Sequence, residues 1–325
     1  MASPLLEVRG LSVDYVTETV DVRAVDSADL TLERGEFLAI VGESGCGKST
    51  LLFAISRLLS PPAEISAGSV MFAGQDLVAL DEEQLRDLRW TDFSVVMQSA
   101  MNALNPTLNL EAQFRDTMEA HGTVSSAEIR ARSIEVMRLV GIDEVHLASF
   151  PHQLSGGMRQ RAMIAMALLF TPDLVIMDEP TSALDVVGQR SLMTQIKELQ
   201  QRLGFAVIFV THDMSLVSHY SDRLAVMYAG QLVEVASTES LFAAPLHPYS
   251  RGLLDAFPSI RGPRRALTGI PGSPPDLGHP SSGCRFQPRC PVAMEVCATA
   301  SPDLAPVGQS LVRCFLYPAK SAEAV

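Results

Sequence analysis

The sequence contains no apolar run long enough to cross a membrane. Its longest stretches, Leu38–Val41, Leu174–Met177 and Phe205–Val210, are strand-sized, against the roughly 18–20 residues that a spanning helix needs. Met1–Gly10 holds no basic segment followed by an apolar run, so no signal peptide is expected. Basic charge is scarce: 25 Lys and Arg stand against 37 Asp and Glu, giving a net charge of −12. Broad nucleic-acid binding depends on neutralising phosphates with Lys and Arg, and this balance argues against it. The small basic cluster of Arg261, Arg264 and Arg265 reads as a solvated loop. Cysteine is nearly missing from the first half, where Cys46 stands alone, while Cys284, Cys290, Cys297 and Cys314 crowd the end. In a reducing compartment such a group points to metal or cluster ligation before disulfides. The absences together predict a soluble, cytoplasmic protein whose membrane contact comes through a partner.

What is present is a large core and alternating elements. The 325 residues are 47% hydrophobic, enough for a large domain with an appendage or for two modest domains. Leu6-Glu7-Val8-Arg9 and Leu30-Thr31-Leu32-Glu33 alternate apolar and polar residues, with turns expected at Arg9-Gly10 and Arg34-Gly35. Phe37–Val41 reads as a buried strand, and Lys48 to Leu59 carries helical spacing stopped by Pro61-Pro62. From about Met101 to Gly157 the character is helical. Asp173–Asp178 and Ala206–Thr211 read as buried strands separated by a helix near Gln189–Arg202. This alternation predicts a mainly parallel sheet flanked by helices. After about Ser237, Pro and Gly become frequent and periodicity fades, which marks an appendage with little core of its own.

Gly42-Glu43-Ser44-Gly45-Cys46-Gly47-Lys48-Ser49 follows the strand at 37–41 and opens a helix, the context that a G-x4-GK[ST] phosphate loop requires. The glycines let successive N–H groups turn towards phosphates, and the helix N-terminus adds partial positive charge. Lys48 can reach the β and γ phosphates, and the Ser49 hydroxyl can ligate Mg2+. The expected ATP-binding set here is Gly42, Ser44, Gly45, Cys46, Gly47, Lys48, Ser49 and Thr50. Cys46 occupies a variable position and reads as a small filler rather than a nucleophile. Downstream, Leu174-Val175-Ile176-Met177-Asp178-Glu179 delivers two carboxylates at the end of an apolar strand. Asp178 is expected to hold the Mg2+ shell and Glu179 to polarise the attacking water as general base.

Leu154-Ser155-Gly156-Gly157-Met158-Arg159-Gln160-Arg161 resembles the signature sequence of ABC ATPases, and it precedes the Asp178-Glu179 strand as in that family. Ser155, Gly156 and Gly157 would open a helix over Met158–Leu169 and form a second anion site. Met158 stands where Gln is usual, a frequent exchange in the peptide-importer branch. The resemblance extends to Tyr15 as the residue stacked on adenine. It makes Gln98 the sensor of Mg2+ and γ phosphate, Ser182-Ala183-Leu184-Asp185 the loop that speaks across a dimer, and His212 the switch histidine. The Mg2+ ligands it implies are Ser49, Gln98 and Asp178. The fold it implies is α/β: a RecA-like P-loop core, an N-terminal antiparallel β subdomain, an inserted α-helical subdomain and a cysteine-containing C-terminal extension. The nucleotide-binding domain is expected over 1–258, with the helical insert at about 99–160 and the extension over 259–325.

Met101-Asn102-Ala103-Leu104-Asn105-Pro106 and Pro245–Leu254 resemble the peptide and nickel importer branch, as does the tail from Gly269 through Leu316. The implied activity is ATP hydrolysis that energises import of di- or oligopeptides; an ATPase for nickel or another small solute, or a soluble non-transport ABC ATPase, are the alternatives. The implied partners are a second, different ATPase chain in a head-to-tail pair, two membrane permeases and an extracytoplasmic solute-binding protein. The implied place is peripheral, on the cytoplasmic face of the cell membrane.

Cys284, Cys290, Cys297 and Cys314 supply four thiolates in a loop-rich segment. Zinc takes four cysteines, usually as two close pairs, and none of these spacings is that short. An iron–sulfur cluster tolerates longer spans, and Cys290-Pro291 echoes the end of a ferredoxin motif. Several members of the branch carry a [4Fe–4S] cluster in the matching extension; Zn2+ and free thiols are the other possibilities. The phosphate loop is expected to pack apart from this tail, so that replacing Cys290 leaves ATP binding at Lys48 intact.

Overall fold

The computed structural model describes residues 3–18, 20–98, 103–122, 124–182, 184–257, 269–278 and 281–317. Met101, Asn102, Ala183, Pro258 and the cluster of Arg261, Arg264 and Arg265 lie outside them. The chain divides into two compact units. The first is Met1–Leu32, Leu38–Val78 and Thr211–Val325; the second is Glu33–Phe37 with Ala79–Val210.

The first unit begins with an antiparallel sheet. Strand β1 (Leu6–Tyr15) pairs on one side with β2 (Val22–Leu32) and on the other with β4 (Ala63–Phe72), which carries the short β5 (Gln75–Asp76). Leu6, Val8, Leu11 and Val13 of β1 are buried, the outcome of alternating residues on a half-buried strand. Arg9-Gly10 does not turn the chain as its sequence suggests. It forms a bulge inside β1, where the register with β2 shifts between Val8 and Leu11 and Gly10 takes φ 54°. Gly68 of β4 lies against this bulge at φ 91°, and a Cβ there would stand 2.5 Å from Leu11 Cα. Only glycine permits that approach. The buried strand β3 (Phe37–Val41) leads through residues 42–47 into helix α1 (Lys48–Ile55). The helix ends earlier than its periodicity suggests, because Arg57 adopts φ 54° before the prolines are reached.

The second unit holds helix α2 (Glu82–Leu88), strand β6 (Phe93–Val96), helices α3 (Leu110–Glu119), α4 (Ser126–Leu139) and α5 (Gly156–Ala167), strand β7 (Leu174–Asp178), helix α6 (Val186–Leu203) and strand β8 (Ala206–Val210). Strands β6, β7 and β8 pair in parallel. All five residues of β7 and of β8 are buried, the composition of parallel strands covered on both faces. The helices start where capping chemistry permits. Asp81, Asn109, Ser125, Ser155 and Asp185 each accept from a backbone N–H of the first turn, and Ser125 forms a capping box with Glu128. Arg132 of α4 donates to the carbonyls of Leu168 and Leu169 just past α5, which ties the two helices together.

The chain returns to the first unit with helix α7 (Met214–Tyr220) and strands β9 (Arg223–Tyr228) and β10 (Gln231–Ser237). Strand β3 pairs in parallel with β9, which pairs antiparallel with β10. Helices α8 (Thr238–Ala243) and α9 (Pro248–Asp255) follow, then the tail with α10 (Val296–Thr299), β11 (Ala305–Val307) and β12 (Ser310–Val312). The tail has few apolar residues of its own, but it is docked. Strand β12 extends the sheet beside β10, and Phe286 packs against Tyr228 and Tyr249 with ring centroids 5.2 and 5.4 Å away. Three tail arginines are buried, at 8, 7 and 7% exposure for Arg285, Arg289 and Arg313. Each fills its donors from the first unit. Arg285 bonds Asp26 at 2.7 Å and the carbonyl of Ala229. Arg313 donates to the carbonyls of Leu232, Pro302 and Ser27 at 3.0, 3.2 and 3.3 Å. Among the described residues, no helix is long and apolar enough to cross a membrane.

Candidate functional site

In the first unit, the loop from Gly42 to Lys48 closes on its own lysine. Lys48 Nζ donates to the carbonyls of Gly42 and Glu43, each at 2.9 Å, and lies 3.8 Å from Cys46 Sγ. Gly47 stands at the head of α1 with φ 102°, and a Cβ there would meet the carbonyl oxygen of Ala24 at 2.2 Å. Ser44 and Gly45 are exposed at the tip, while Cys46 is buried. Burial pushes the Cys46 thiol up from its ordinary value, which suits a filler and not a nucleophile. Tyr15, the last residue of β1, brings its hydroxyl to 3.2 Å from Thr50 Oγ1 on α1. His212 is exposed just after β8, between Thr211 and Asp213; Asp213 caps α7 by accepting from Ser215 at 2.8 Å.

In the second unit, β7 delivers Asp178 at 2% exposure. Glu179, next along, takes φ 45°, a left-handed conformation uncommon for a side chain of its size. Its N–H donates to the carbonyl of Val210 at 3.0 Å. Its carboxylate accepts from Gln98 Nε2 at 3.0 Å. Ser155 N-caps α5, accepting from the N–H of Met158 at 3.3 Å. The helix begins at Gly156, two residues earlier than its periodicity suggests, so Gly156 and Gly157 present their N–H groups in its first turn. Ser155, Gly157 and Met158 line one surface pocket with Leu184 and Gly188. Gln113, buried on α3, accepts from the N–H of Asn105 and donates to the carbonyls of Asn105 and Leu108. It thereby ties Asn105 and Leu108 to α3.

The structure therefore places Lys48, Ser49, Thr50, Tyr15 and His212 in the first unit, and Gln98, Asp178, Glu179, Ser155, Gly156 and Gly157 in the second.

In the tail, Cys284, Cys290, Cys297 and Cys314 line a single pocket with His247, Phe286, Met294 and Leu316. None is in a disulfide. Burial pushes the Cys284, Cys290 and Cys314 thiols up, and the neighbouring cysteines add to the rise. His247 is held neutral by burial, its pKa pulled down to about 3; its Nδ1 accepts from the N–H of Tyr249 at 3.0 Å. Among the described residues, no group of three or more His, Cys, Asp or Glu side chains is drawn together to hold a metal ion.

Two residues that reach the phosphate loop have no counterpart among the site residues expected from the sequence. Tyr249 accepts from the N–H of Glu43 at 3.0 Å. Arg289 grips the Glu43 carboxylate with both terminal nitrogens, at 2.7 and 2.9 Å. This bond corrects the expectation that loop and tail pack apart. Tyr249 lies within the Pro245–Leu254 motif and Arg289 immediately before Cys290, but a pair 246 residues apart has no local signature.

Residues 25–182 match the ABC transporter family, and residues 233–297 match the C-terminal region of oligopeptide/dipeptide transporters. The chain is 42% identical to the dipeptide transport ATP-binding protein DppD of Caldanaerobacter subterraneus subsp. tengcongensis, over 97% of this chain and 98% of that one. It is 43% identical to the oligopeptide transport ATP-binding protein OppD of Salmonella typhimurium, over 93% of this chain and 90% of that one. Among solved structures, a dimeric ATP-binding cassette in a post-hydrolysis state with ADP and Pi superposes with a TM-score of 0.64 at 28% identity, covering 72% of this chain and 98% of that one.

Proposed function

This chain belongs to the family of ABC transporter ATP-binding subunits, in the branch that carries the oligopeptide/dipeptide C-terminal region, and from that membership we propose that it hydrolyses ATP to energise the import of di- or oligopeptides. The observation that carries the cargo class is the tail match at 233–297, joined to relatives named for dipeptide and oligopeptide transport. The test is a reconstituted transporter in liposomes with its permeases, companion ATPase and binding protein. Di- and oligopeptides should stimulate phosphate release, and stimulation by nickel alone would overturn the cargo assignment.

The roles of the residues follow from their chemistry. Lys48 and the backbone N–H groups of 44–49 hold the phosphates, Thr50 continues the loop's grip, and Tyr15 packs on the adenine. Ser49, Gln98 and Asp178 offer oxygens, the hard donors that Mg2+ takes, and the buried Asp178 carboxylate suits a cation. When bound, Mg2+ supplies neutralisation of charge on the β and γ phosphate oxygens. Glu179 accepts a proton from the attacking water, Gln98 orients the Glu179 carboxylate, and His212 stabilises the γ phosphate.

Ser155, Gly156 and Gly157 form an anion site on a helix N-terminus and serve the nucleotide of a partner cassette in a head-to-tail pair. The partner is a second, different ATPase chain, with two permeases and an extracytoplasmic binding protein completing the complex. The chain then lies peripherally on the cytoplasmic face of the cell membrane. We assign 1–258 to the nucleotide-binding domain, with its helical insert at about 99–160, and 259–325 to the extension.

The four tail cysteines are proposed to bind a [4Fe–4S] cluster. Their convergence on one pocket supports this, as do thiols raised by burial and by one another, which a cationic centre would relieve. Zinc sites usually draw their four cysteines from close pairs, and none of these spacings is that short. An iron–sulfur cluster tolerates such longer spans.

A further inference from the structure

The tail meets the phosphate loop at Glu43, whose polar atoms are all engaged. Both carboxylate oxygens of Glu43 accept from Arg289, at 2.7 and 2.9 Å. Its backbone N–H donates to Tyr249 at 3.0 Å. Its carbonyl accepts from Lys48 Nζ at 2.9 Å and from the N–H of Cys46 at 3.3 Å. Glu43 thus joins the lysine that grips phosphate to an arginine of the extension.

Arg289 is itself rigidly held. It donates to the carbonyl of Pro271 at 2.8 Å, and its guanidinium lies 5.7 Å from the centroid of the Tyr228 ring. Tyr228 in turn packs on Tyr249 with centroids 4.5 Å apart. Glu43 keeps Arg289 firmly protonated. A bidentate guanidinium–carboxylate pair fixes direction as well as distance, so the tail sets where the Glu43 peptide and its carbonyl stand. Lys48 bonds to that carbonyl, and its position follows.

We propose that Arg289 is a positioning residue for ATP: from the C-terminal extension it sets the phosphate loop through Glu43, so that nucleotide affinity depends on the extension being docked. The inference rests on the assignment of 42–49 as the phosphate loop. Arg289 touches no nucleotide in this scheme. It acts by holding Glu43 in the one conformation that lets Lys48 and the loop N–H groups converge.

The test is the affinity of the full-length chain for Mg-ATP, measured by titration calorimetry, with thermal melting recorded in parallel. Breaking the bidentate pair releases the Glu43 carboxylate from its fixed direction, and Arg289→Met should raise the Kd by about tenfold. The double variant Glu43→Gln with Arg289→Met removes the same grip and should raise the Kd no further than the more affected single variant, the non-additivity expected of coupled residues, whereas a Kd restored to wild type would trace the loss to an unpaired charge and overturn the positioning role. Arg289→Lys keeps the charge without the fork and should fall between. A lowered melting temperature with an unchanged Kd would make Arg289 a structural brace only and overturn the proposal. Should Arg289→Met not fold, Arg289→Lys and Glu43→Gln carry the comparison, and unchanged affinity in both overturns it equally. Lys48→Ala separates the two levels. If it keeps wild-type ATP affinity, the phosphate-loop assignment fails and the proposal with it; if it loses ATP while the Arg289 variants do not, the proposal alone fails.

Discussion

The side-chain amide of Gln98 donates to the carboxylate of Glu179 at 3.0 Å, across 81 positions of sequence. Glu179 is held from a second direction by its own N–H on Val210. It keeps a left-handed backbone at φ 45°, a conformation that costs a side chain about 1–3 kcal/mol and persists only where the surroundings enforce it. A carboxylate aimed so firmly suits a proton acceptor.

Glu179→Gln should therefore bind ATP as wild type does while phosphate release falls about 10²- to 10⁴-fold, the span of a positioned acid or base. The measurement is phosphate release in the complete transporter with the companion ATPase inactivated. Near wild-type turnover would remove Glu179 from the role of base.

Gly47→Ala should abolish tight ATP binding. The new Cβ meets the Ala24 carbonyl oxygen at 2.2 Å, and the φ of 102° is itself strained for alanine by about 1–3 kcal/mol. The head of α1 must move, so the Kd for Mg-ATP should rise at least about 10- to 100-fold, the equivalent of that strain. Unchanged affinity would show that the loop tolerates rearrangement.

Arg313→Met should destabilise the fold. Its guanidinium, 7% exposed, serves the carbonyls of Leu232, Pro302 and Ser27. Burying acceptors without donors costs about 1–3 kcal/mol each, and relaxation recovers part of it, so a loss of about 2–4 kcal/mol is expected from urea unfolding of the full chain. Arg313→Lys should recover a part of the loss. A change within error would mean that these carbonyls find water.

The tail cysteines carry the sequence expectation of a cluster forward and reverse only its expectation that ATP binding is independent of the tail. Anaerobically purified protein should be brown and contain iron and sulfide, whereas colourless protein with one equivalent of zinc would establish the mononuclear alternative. Cys290→Ser should bleach the protein and also weaken ATP binding by several-fold, because Arg289 is the adjacent residue and bonds the phosphate loop. Intact ATP affinity in the bleached protein would restore the picture of two independent parts.

The sequence by itself determined the local chemistry. Gly42–Ser49 between a strand and a helix, Asp178-Glu179 at the end of an apolar strand and Ser155 before two glycines are each written within a few consecutive residues. The backbone conformations and helix caps that they need depend on those same residues. Strands β7 and β8 were legible for the same reason: a short, fully apolar run can only be buried. Arg9-Gly10 was misread as a turn because a bulge and a turn share glycine's positive φ, and only the pairing of β1 with β2 and β4 distinguishes them. The docking of the tail was not legible at all. Arg285, Arg289 and Arg313 look like ordinary surface cations in a Pro- and Gly-rich segment. Their burial follows from carbonyls and carboxylates at Asp26, Ala229, Glu43 and Leu232, far away along the chain. A hydrogen bond between distant segments leaves no periodicity or spacing, so only the tertiary structure could join the tail to the phosphate loop.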